Sequence, residues 1–535
     1  MKKILLLASF ILALSAIASS QNVFNPADPV VRYNSNAPYG SAERPDTEII
    51  GLQKWVAAST NGVSSGSGSF DNSSYKAYYI NYYGVKLAFR LKFPHSYTNS
   101  DSVNKKYPVM LFMHGAGEVG CPSNGGIYNN EKQLTHGGKL FRDYVDQNQF
   151  DGFLLYPQLV SADNGCWGEW ASGYSRYNTI ITIIDSLIKY ARLDIDRVFV
   201  DGLSGGGAAC WRFVENYPTR IAKIAPTSAA GLLLDYPAFV HIPIWLATGG
   251  KDSNPSPAMA AYSELKVTEI GGYMRRSLYE DLGHSSWYRH WQEPDFIPFM
   301  NDVHKANPLI FYNRSEFCPD SGVNARLGIT PGFYAYEWKR GDDLIATRTG
   351  SVNTVLNNSV VRSFTGNEIS VRDFGTYSVR FRRVNNGEWS AWSPKPAVIK
   401  SKSTTQTPPI EVLGIKSKVL PSLDGRNTVT LHLPEGFSNY QWVRTSDNVV
   451  VNTNANYEAP VGTYKARYTE NFGCGTLYSP VFKVVNADGT PKPDGAKNLS
   501  VTTVSKTTLR LDWNENPNAG TNETAFEVYR ATKSG

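Results

Sequence analysis

Cysteine is scarce in this chain: five among 535 residues, too few for a disulfide framework and odd in number, so at least one thiol stands outside any intrachain pair. Beyond the first twenty positions no apolar run approaches the roughly 20 residues that a membrane helix needs, so no membrane span is expected. There is no His-Glu-x-x-His pair and no acidic calcium loop, and neither a metal nor any other cofactor is expected. Charged residues make up only 19% of the chain, the formal net charge is +6, and basic residues are interleaved with acids. The densest basic cluster, Arg380-Phe381-Arg382-Arg383, reads as the wet face of a strand, so no nucleic-acid partner is expected. Nothing in the pattern fixes an oligomeric state. With 41% hydrophobic residues the chain is nonetheless too apolar for disorder and too long for one domain.

What is present falls into segments. Met1-Lys2-Lys3, an apolar run from Ile4 to Ile17 and the small residues up to Ser20 read as a secretory signal over 1–20, which predicts a secreted or cell-surface, extracellular protein. Residues 21–74 are rich in Pro, Ser, Asn and Gly and read as an N-terminal extension, loop through most of its length. From 75 to 305 β-rich runs alternate with helical periodicity. A Tyr-rich hairpin over 75–94 comes first, followed by strands at 109–113, 153–156, 198–200, 221–224, 244–247 and 274–278. The stripe Ile180, Ile183, Ile184, Leu187, Ile188 and the run Gly206–Tyr217 supply helices. That alternation predicts an α/β fold, a doubly wound and mostly parallel sheet covered on both faces.

After about residue 307 helical periods vanish. Gly332-Phe333-Tyr334-Ala335-Tyr336-Glu337-Trp338 is repeated as Gly436-Phe437-Ser438-Asn439-Tyr440-Gln441-Trp442, and Gly375-Thr376-Tyr377 as Gly462-Thr463-Tyr464. A buried-strand tryptophan and a later Gly-Thr-Tyr resemble immunoglobulin-like sandwich modules, here two in tandem over 306–402 and 408–487. Cys318 and Cys474 fall one in each, so neither has a partner inside its own module. Residues 491–535 resemble the opening strands of a fibronectin type III domain, with Leu499, Val501, Leu509, Leu511 and Trp513 facing inward. Such a sandwich needs about 100 residues, so the natural chain is expected to continue past Gly535.

Two stretches fit Gly-x-Ser-x-Gly: Gly62-Val63-Ser64-Ser65-Gly66 and Gly202-Leu203-Ser204-Gly205-Gly206. A serine hydroxyl is a weak nucleophile that works when a sharp turn projects it from a strand end within reach of a base. Ser204 follows a β-rich run and precedes a helix whose N-terminal amides favour developing negative charge. Ser64 has neither neighbour and reads as a decoy. The strand Val109–Met113 runs into His114-Gly115-Ala116-Gly117, a small-residue loop of the kind that brings amides to a reacting carbonyl. The amides of Ala116 and Gly205 are the candidate oxyanion donors.

The acid and base belong on loops after later strands. Asp252 follows one and His284 the next; Asp281, three residues before His284, is the rival acid. His114 precedes the serine, against the order serine, acid, histidine, and reads as a structural residue bonding its own loop. His290 and His304 sit in helical sequence and read as solvated or satisfied. Cys121 and Cys166 lie in Gly/Asn-rich loop sequence and are candidates for a bridge that spacing alone does not fix, whereas Cys210 reads as a small buried core residue.

Four ordered stretches, "KKYPVMLFMHGAGEVG", "IDRVFVDGLSGGGAACWRFVENYP", "IPIWLATGGKD" and "EDLGHSSW", together resemble the secreted α/β-hydrolase esterases of the "predicted peptidase" family, relatives of feruloyl esterases and polyhydroxybutyrate depolymerases. The resemblance covers about residues 75–303 and departs at Gly205, where methionine is usual, and at Thr248, where histidine often sits. It implies an α/β-hydrolase fold and a serine carboxylic-ester hydrolase working through an acyl-serine, on acetyl or feruloyl esters of plant polysaccharide. A peptidase or polyester depolymerase would use the same triad, and a carbohydrate-binding adhesin carrying an inactive hydrolase domain is the alternative of another class. Trp167, Trp170, Tyr174, Trp287 and Trp291 flank the site; aromatic walls suit a sugar ring or an aromatic acyl group, and packing beneath loops is the competing explanation for each.

Overall fold

The structure is a computed structural model. It describes residues 68–124, 129–161, 174–319, 322–402, 408–413, 418–421, 426–469, 477–486, 497–505 and 508–514, with short stretches at 23–28, 36–38, 52–54, 61–65 and 166–168 and Trp170. Residues 1–20, expected to be a secretory signal, and Cys474 lie outside the described residues. The chain divides into two compact units, Met1–Gln406 with Glu470–Gly475, and Thr407–Thr469 with Thr476–Gly535.

Nine strands form the central sheet of the first unit: β1 (Leu52–Lys54), β2 (Lys76–Tyr82), β3 (Val85–Lys92), β4 (Tyr107–Met113), β5 (Phe153–Gln158), β6 (Leu193–Leu203), β7 (Lys223–Thr227), β8 (Ile244–Gly249) and β9 (Met274–Tyr279), in the order β1-β2-β3-β5-β4-β6-β7-β8-β9. The six from β5 to β9 run parallel, and β1, β2 and β3 are antiparallel at one edge. Side chains of β4 alternate between two cores: Val109, Leu111 and Met113 enter one, Met110 and Phe112 the other. Such two-sided burial is why these strands read as continuous apolar runs. Helices α2 (Tyr174–Tyr190), α3 (Gly205–Asn216) and α4 (Pro257–Thr268) contribute to the first core, through Ile180, Ile184, Phe213 and Ala260 among others. Helix α1 (Gly138–Asp146) contributes Phe141 and Val145 to the second, where Trp291 and Phe296 join it. Among the described residues no helix is long and apolar enough to cross a membrane.

The N-terminal extension is more ordered than its composition predicts. β1 adds to the sheet edge, and Ser64 lies on a strand, Asn61–Ser65, paired with Gly68–Asp71. Apart from Val63, Phe70 and Asp71 the ribbon is Ser, Asn and Gly, and two isolated apolar residues make no period-2 signal to read. Among the described residues the element after Ser64 is a strand and not a helix, so its surroundings still differ from those of Ser204.

Two further sheets, of four and six strands between Leu309 and Ser401, enclose a separate core around Trp338, Val379 and Ile399. At the 305/306 boundary the buried Lys305 ammonium donates to the carbonyls of Pro218 and Ile221 and to the Thr330 hydroxyl, tying both sides together. Arg383, expected on a wet face, instead reaches Asp196 and the Thr219 carbonyl. The second unit has sheets of three and five strands around Trp442. The internal repeat extends to single hydrogen bonds. The Tyr336 hydroxyl accepts from Phe333 N at 2.9 Å and that of Tyr440 from Phe437 N at 2.9 Å, while Tyr377 and Tyr464 donate to carbonyls four residues back, at Asp373 and Pro460. Residues 497–505 and 508–514 form a hairpin whose Val501, expected to face inward, is exposed.

Candidate active site

Ser204 stands between β6 and α3 with φ 52° and ψ −121°, a conformation L residues rarely adopt. The turn requires glycine on either side. A Cβ on Gly202 would stand 2.6 Å from the Gly206 carbonyl oxygen, and one on Gly206 only 1.9 Å from that of Met113. The hydroxyl is thereby held clear of the sheet at the C-terminal ends of the parallel strands, where loops converge.

Three residues far apart in sequence meet there. Ser204 Oγ lies 2.8 Å from His284 Nε2, and His284 Nδ1 lies 2.9 Å from Asp252 Oδ2. The Asp252 side chain is almost fully buried and its other oxygen accepts from Asn254 N at 3.0 Å, whereas the imidazole is 42% exposed and open to an incoming substrate. The acid and base loops are locked together: Lys251 N donates to Leu282 O at 2.9 Å, and a Cβ on Gly249 would stand 2.1 Å from Gly283 O. The Ser228 hydroxyl donates to the His284 carbonyl at 2.6 Å and sits 2.9 Å from the Ser286 hydroxyl. Asp281 is turned outward onto the Arg289 guanidinium, which holds its carboxyl below the usual range, and takes no part in the cluster.

Ala116 and Gly205 lie side by side, the Cβ position of Gly205 being 3.4 Å from Ala116 N. The loop carrying Ala116 is secured from behind. His114 is buried, and burial pushes its imidazole down to about 4, so it is neutral near pH 7. Leu159 N donates to its Nε2 at 2.9 Å, which leaves the proton on Nδ1 to donate to Gly115 O at 2.7 Å. Gln158 Nε2 donates to Glu118 O at 2.6 Å. From the opposite side Gly168 N reaches Ala116 O at 3.3 Å and Trp170 Nε1 reaches His114 O at 2.9 Å. These two donors follow Cys166, which is disulfide-bonded to Cys121; Cys210 is buried and free, and Cys318 is disulfide-bonded.

The aromatic residues separate in role. Trp170, expected to touch substrate, is completely buried and serves the loop through its indole N–H; Trp291 is equally buried. Trp167 is 64% exposed beside the disulfide, and Trp287 is 7% exposed with its ring 6.1 Å from that of His284. The side chain of Tyr174 lies outside the described residues. His290 pairs through Nδ1 with the Thr227 hydroxyl at 2.7 Å while its buried Nε2 has no partner among the described residues, and His304, in the loop after the helix Phe296–Asn301 rather than in a helix, accepts from Ala306 N at 3.0 Å. Two groups escaped the sequence reading. Asp201, three residues before the serine on β6, is fully buried and its carboxyl is pushed well above the usual range by burial. Glu118 and His136 form a pair at 3.5 Å beside the Ala116 loop, and that imidazole holds the carboxyl below the usual range. No motif joins residues 118 and 136, so only the fold reveals them.

No protein-family model and no curated protein matches the chain. Solved structures similar to part of it include a thermostable esterase, 20% identical over 45% of this chain and 70% of that one, with a TM-score of 0.37. Others are a ferulic acid esterase, 16% identical over 42% and 96% of the two chains with a TM-score of 0.32, and an acetyl xylan esterase from Paenibacillus sp. R4, 14% identical over 43% and 84% with a TM-score of 0.30.

Proposed function

We propose that the protein is a secreted serine carboxylic-ester hydrolase. The observation that carries the reading is the unbroken chain Ser204 Oγ, His284 Nε2, His284 Nδ1, Asp252 Oδ2, with links of 2.8 and 2.9 Å. His284 takes the serine proton as Oγ attacks the ester carbonyl. Asp252 holds the tautomer with its proton on Nδ1 and stabilises the imidazolium. The amides of Ala116 and Gly205 receive the oxyanion, each worth about 3 kcal/mol to the transition state. His284 then returns the proton to the departing alcohol, and water repeats the sequence on the acyl-serine.

The substrate class we propose is an acetyl or feruloyl ester of plant polysaccharide. Its support is the resemblance in sequence, the signal segment and the exposed Trp167, whose indole suits stacking on a sugar ring. The two β modules are proposed to be immunoglobulin-like and the last segment part of a fibronectin type III domain. The test is hydrolysis of p-nitrophenyl acetate, acetylated xylan, feruloylated arabinose and matched peptide amides by the wild type and Ser204→Ala. Ester turnover lost in the variant supports the reading. Cleavage of amides in preference to esters favours a peptidase, and binding of polysaccharide without turnover favours an adhesin.

A further inference from the structure

Beside the triad lies a second group of side chains that the acyl-transfer chemistry does not use. The Trp287 ring contacts two imidazoles, 6.1 Å from that of His284 and 5.1 Å from that of His136. The Tyr288 ring also lies 6.1 Å from that of His136, and Glu118 Oε1 lies 3.5 Å from His136 Nε2. Two polar atoms of this group, Trp287 Nε1 and His136 Nδ1, are buried with no hydrogen-bond partner among the described residues. Trp287 itself is more than nine-tenths buried. Buried polar atoms are ordinarily paired, and leaving one unpaired is unfavourable. Glu118 and His136 keep 14% and 22% of their side-chain surface open, so the group is reached from outside.

We propose that Glu118, His136 and Trp287 form a subsite for the hydroxyl-bearing alcohol portion of the ester, a sugar ring, with its hydroxyls satisfying these orphan atoms. This rests on the esterase reading above. The chemistry matches a polyol: the Glu118 carboxylate accepts from a sugar hydroxyl, the Trp287 indole N–H donates to one, and aromatic faces take the ring's C–H surface. Position assigns the group to the alcohol rather than the acyl side. The leaving oxygen departs from the face of His284, whose Nε2 reprotonates it, and Trp287 is the aromatic ring beside that imidazole.

The experiment compares kcat/KM for methyl 2-O-acetyl-β-D-xylopyranoside with that for p-nitrophenyl acetate, which delivers the same acyl group from an alcohol without sugar hydroxyls. Glu118→Gln and Trp287→Phe, both close in shape to the native residues, are measured with thermal melts to establish folding. The expected result is a tenfold or greater fall in the ratio of sugar ester to p-nitrophenyl ester. An unchanged ratio in both folded variants overturns the proposal. So does a loss that follows the acyl group when p-nitrophenyl acetate is compared with a p-nitrophenyl hydroxycinnamate. If the wild type hydrolyses neither acetate, it is the esterase reading that fails.

Discussion

Gly206 lies so close to Met113 that a side-chain carbon on it would occupy the space of the Met113 carbonyl oxygen, at 1.9 Å. The contact joins the helix that follows the serine to the strand that precedes the Ala116 loop. Ser204 and the Ala116 loop, the proposed nucleophile and oxyanion donor, are thus set by one backbone approach. Gly206→Ala is expected to destabilise the fold by about 1–3 kcal/mol and to remove activity in what remains folded. Gly205→Ala, whose Cβ would meet Ala116 N at an ordinary 3.4 Å, is expected to fold normally. Thermal melts of the two variants make the comparison.

The choice of acid is equally open to test. Asp252→Asn leaves the geometry near intact but favours the wrong imidazole tautomer, and is expected to lower kcat by about 10³- to 10⁴-fold. Asp281→Asn, removing only an outward pair with Arg289, should change kcat less than twofold. Steady-state kinetics on p-nitrophenyl acetate distinguishes them.

Asp201 gives stability a pH dependence of known sign. Burial raises its carboxyl well above 3.8 in the folded protein, so above that pH the native state binds more protons than the unfolded one. Its contribution is therefore fully present below the unfolded value and is lost as pH rises toward the folded value, at no more than about 1.4 kcal/mol per pH unit. Asp201→Asn mimics the neutral acid. It is expected to gain stability over the wild type progressively from pH 4 to pH 7 in denaturant titrations; parallel curves would contradict the assignment.

Trp170 is expected to act on rate through the loop it supports. Trp170→Phe keeps most of the packing but removes the hydrogen bond to the His114 carbonyl, and should lower kcat about three- to tenfold with KM nearly unchanged. Trp167→Ala, removing an exposed ring, should instead raise KM for a polysaccharide ester and leave kcat on p-nitrophenyl acetate as it was.

How far the sequence reached depends on whether an element has a period or a motif. The parallel strands were legible because burial on both faces leaves runs such as Val109–Met113 continuously apolar. Ser204 was legible because glycines 202 and 206 are imposed by backbone contacts. Chain order points to Asp252 and His284, which the structure brings together with Ser204, whereas the tight approach of Gly249 to Gly283 that locks their loops leaves no pattern. The short strand Leu52–Lys54 and the polar ribbon at Ser64 have no apolar alternation and read as loop. Trp170 looked like a substrate wall because an indole on a loop carries the same signal whether it faces solvent or, as here, a carbonyl beneath it. Arg383 looked solvated for the same reason: its partners, Asp196 and the Thr219 carbonyl, lie more than 160 positions away.

If Ser204 is the activated nucleophile, a reagent that acylates or phosphorylates serine hydroxyls must find it. The folded protein is treated with a fluorophosphonate and the modified peptide is located by mass spectrometry. One adduct per chain on Ser204, formed far more slowly in His284→Ala, is the predicted result. A folded wild type that takes no label, or takes it on another residue with Ser204 unmodified, would contradict the account.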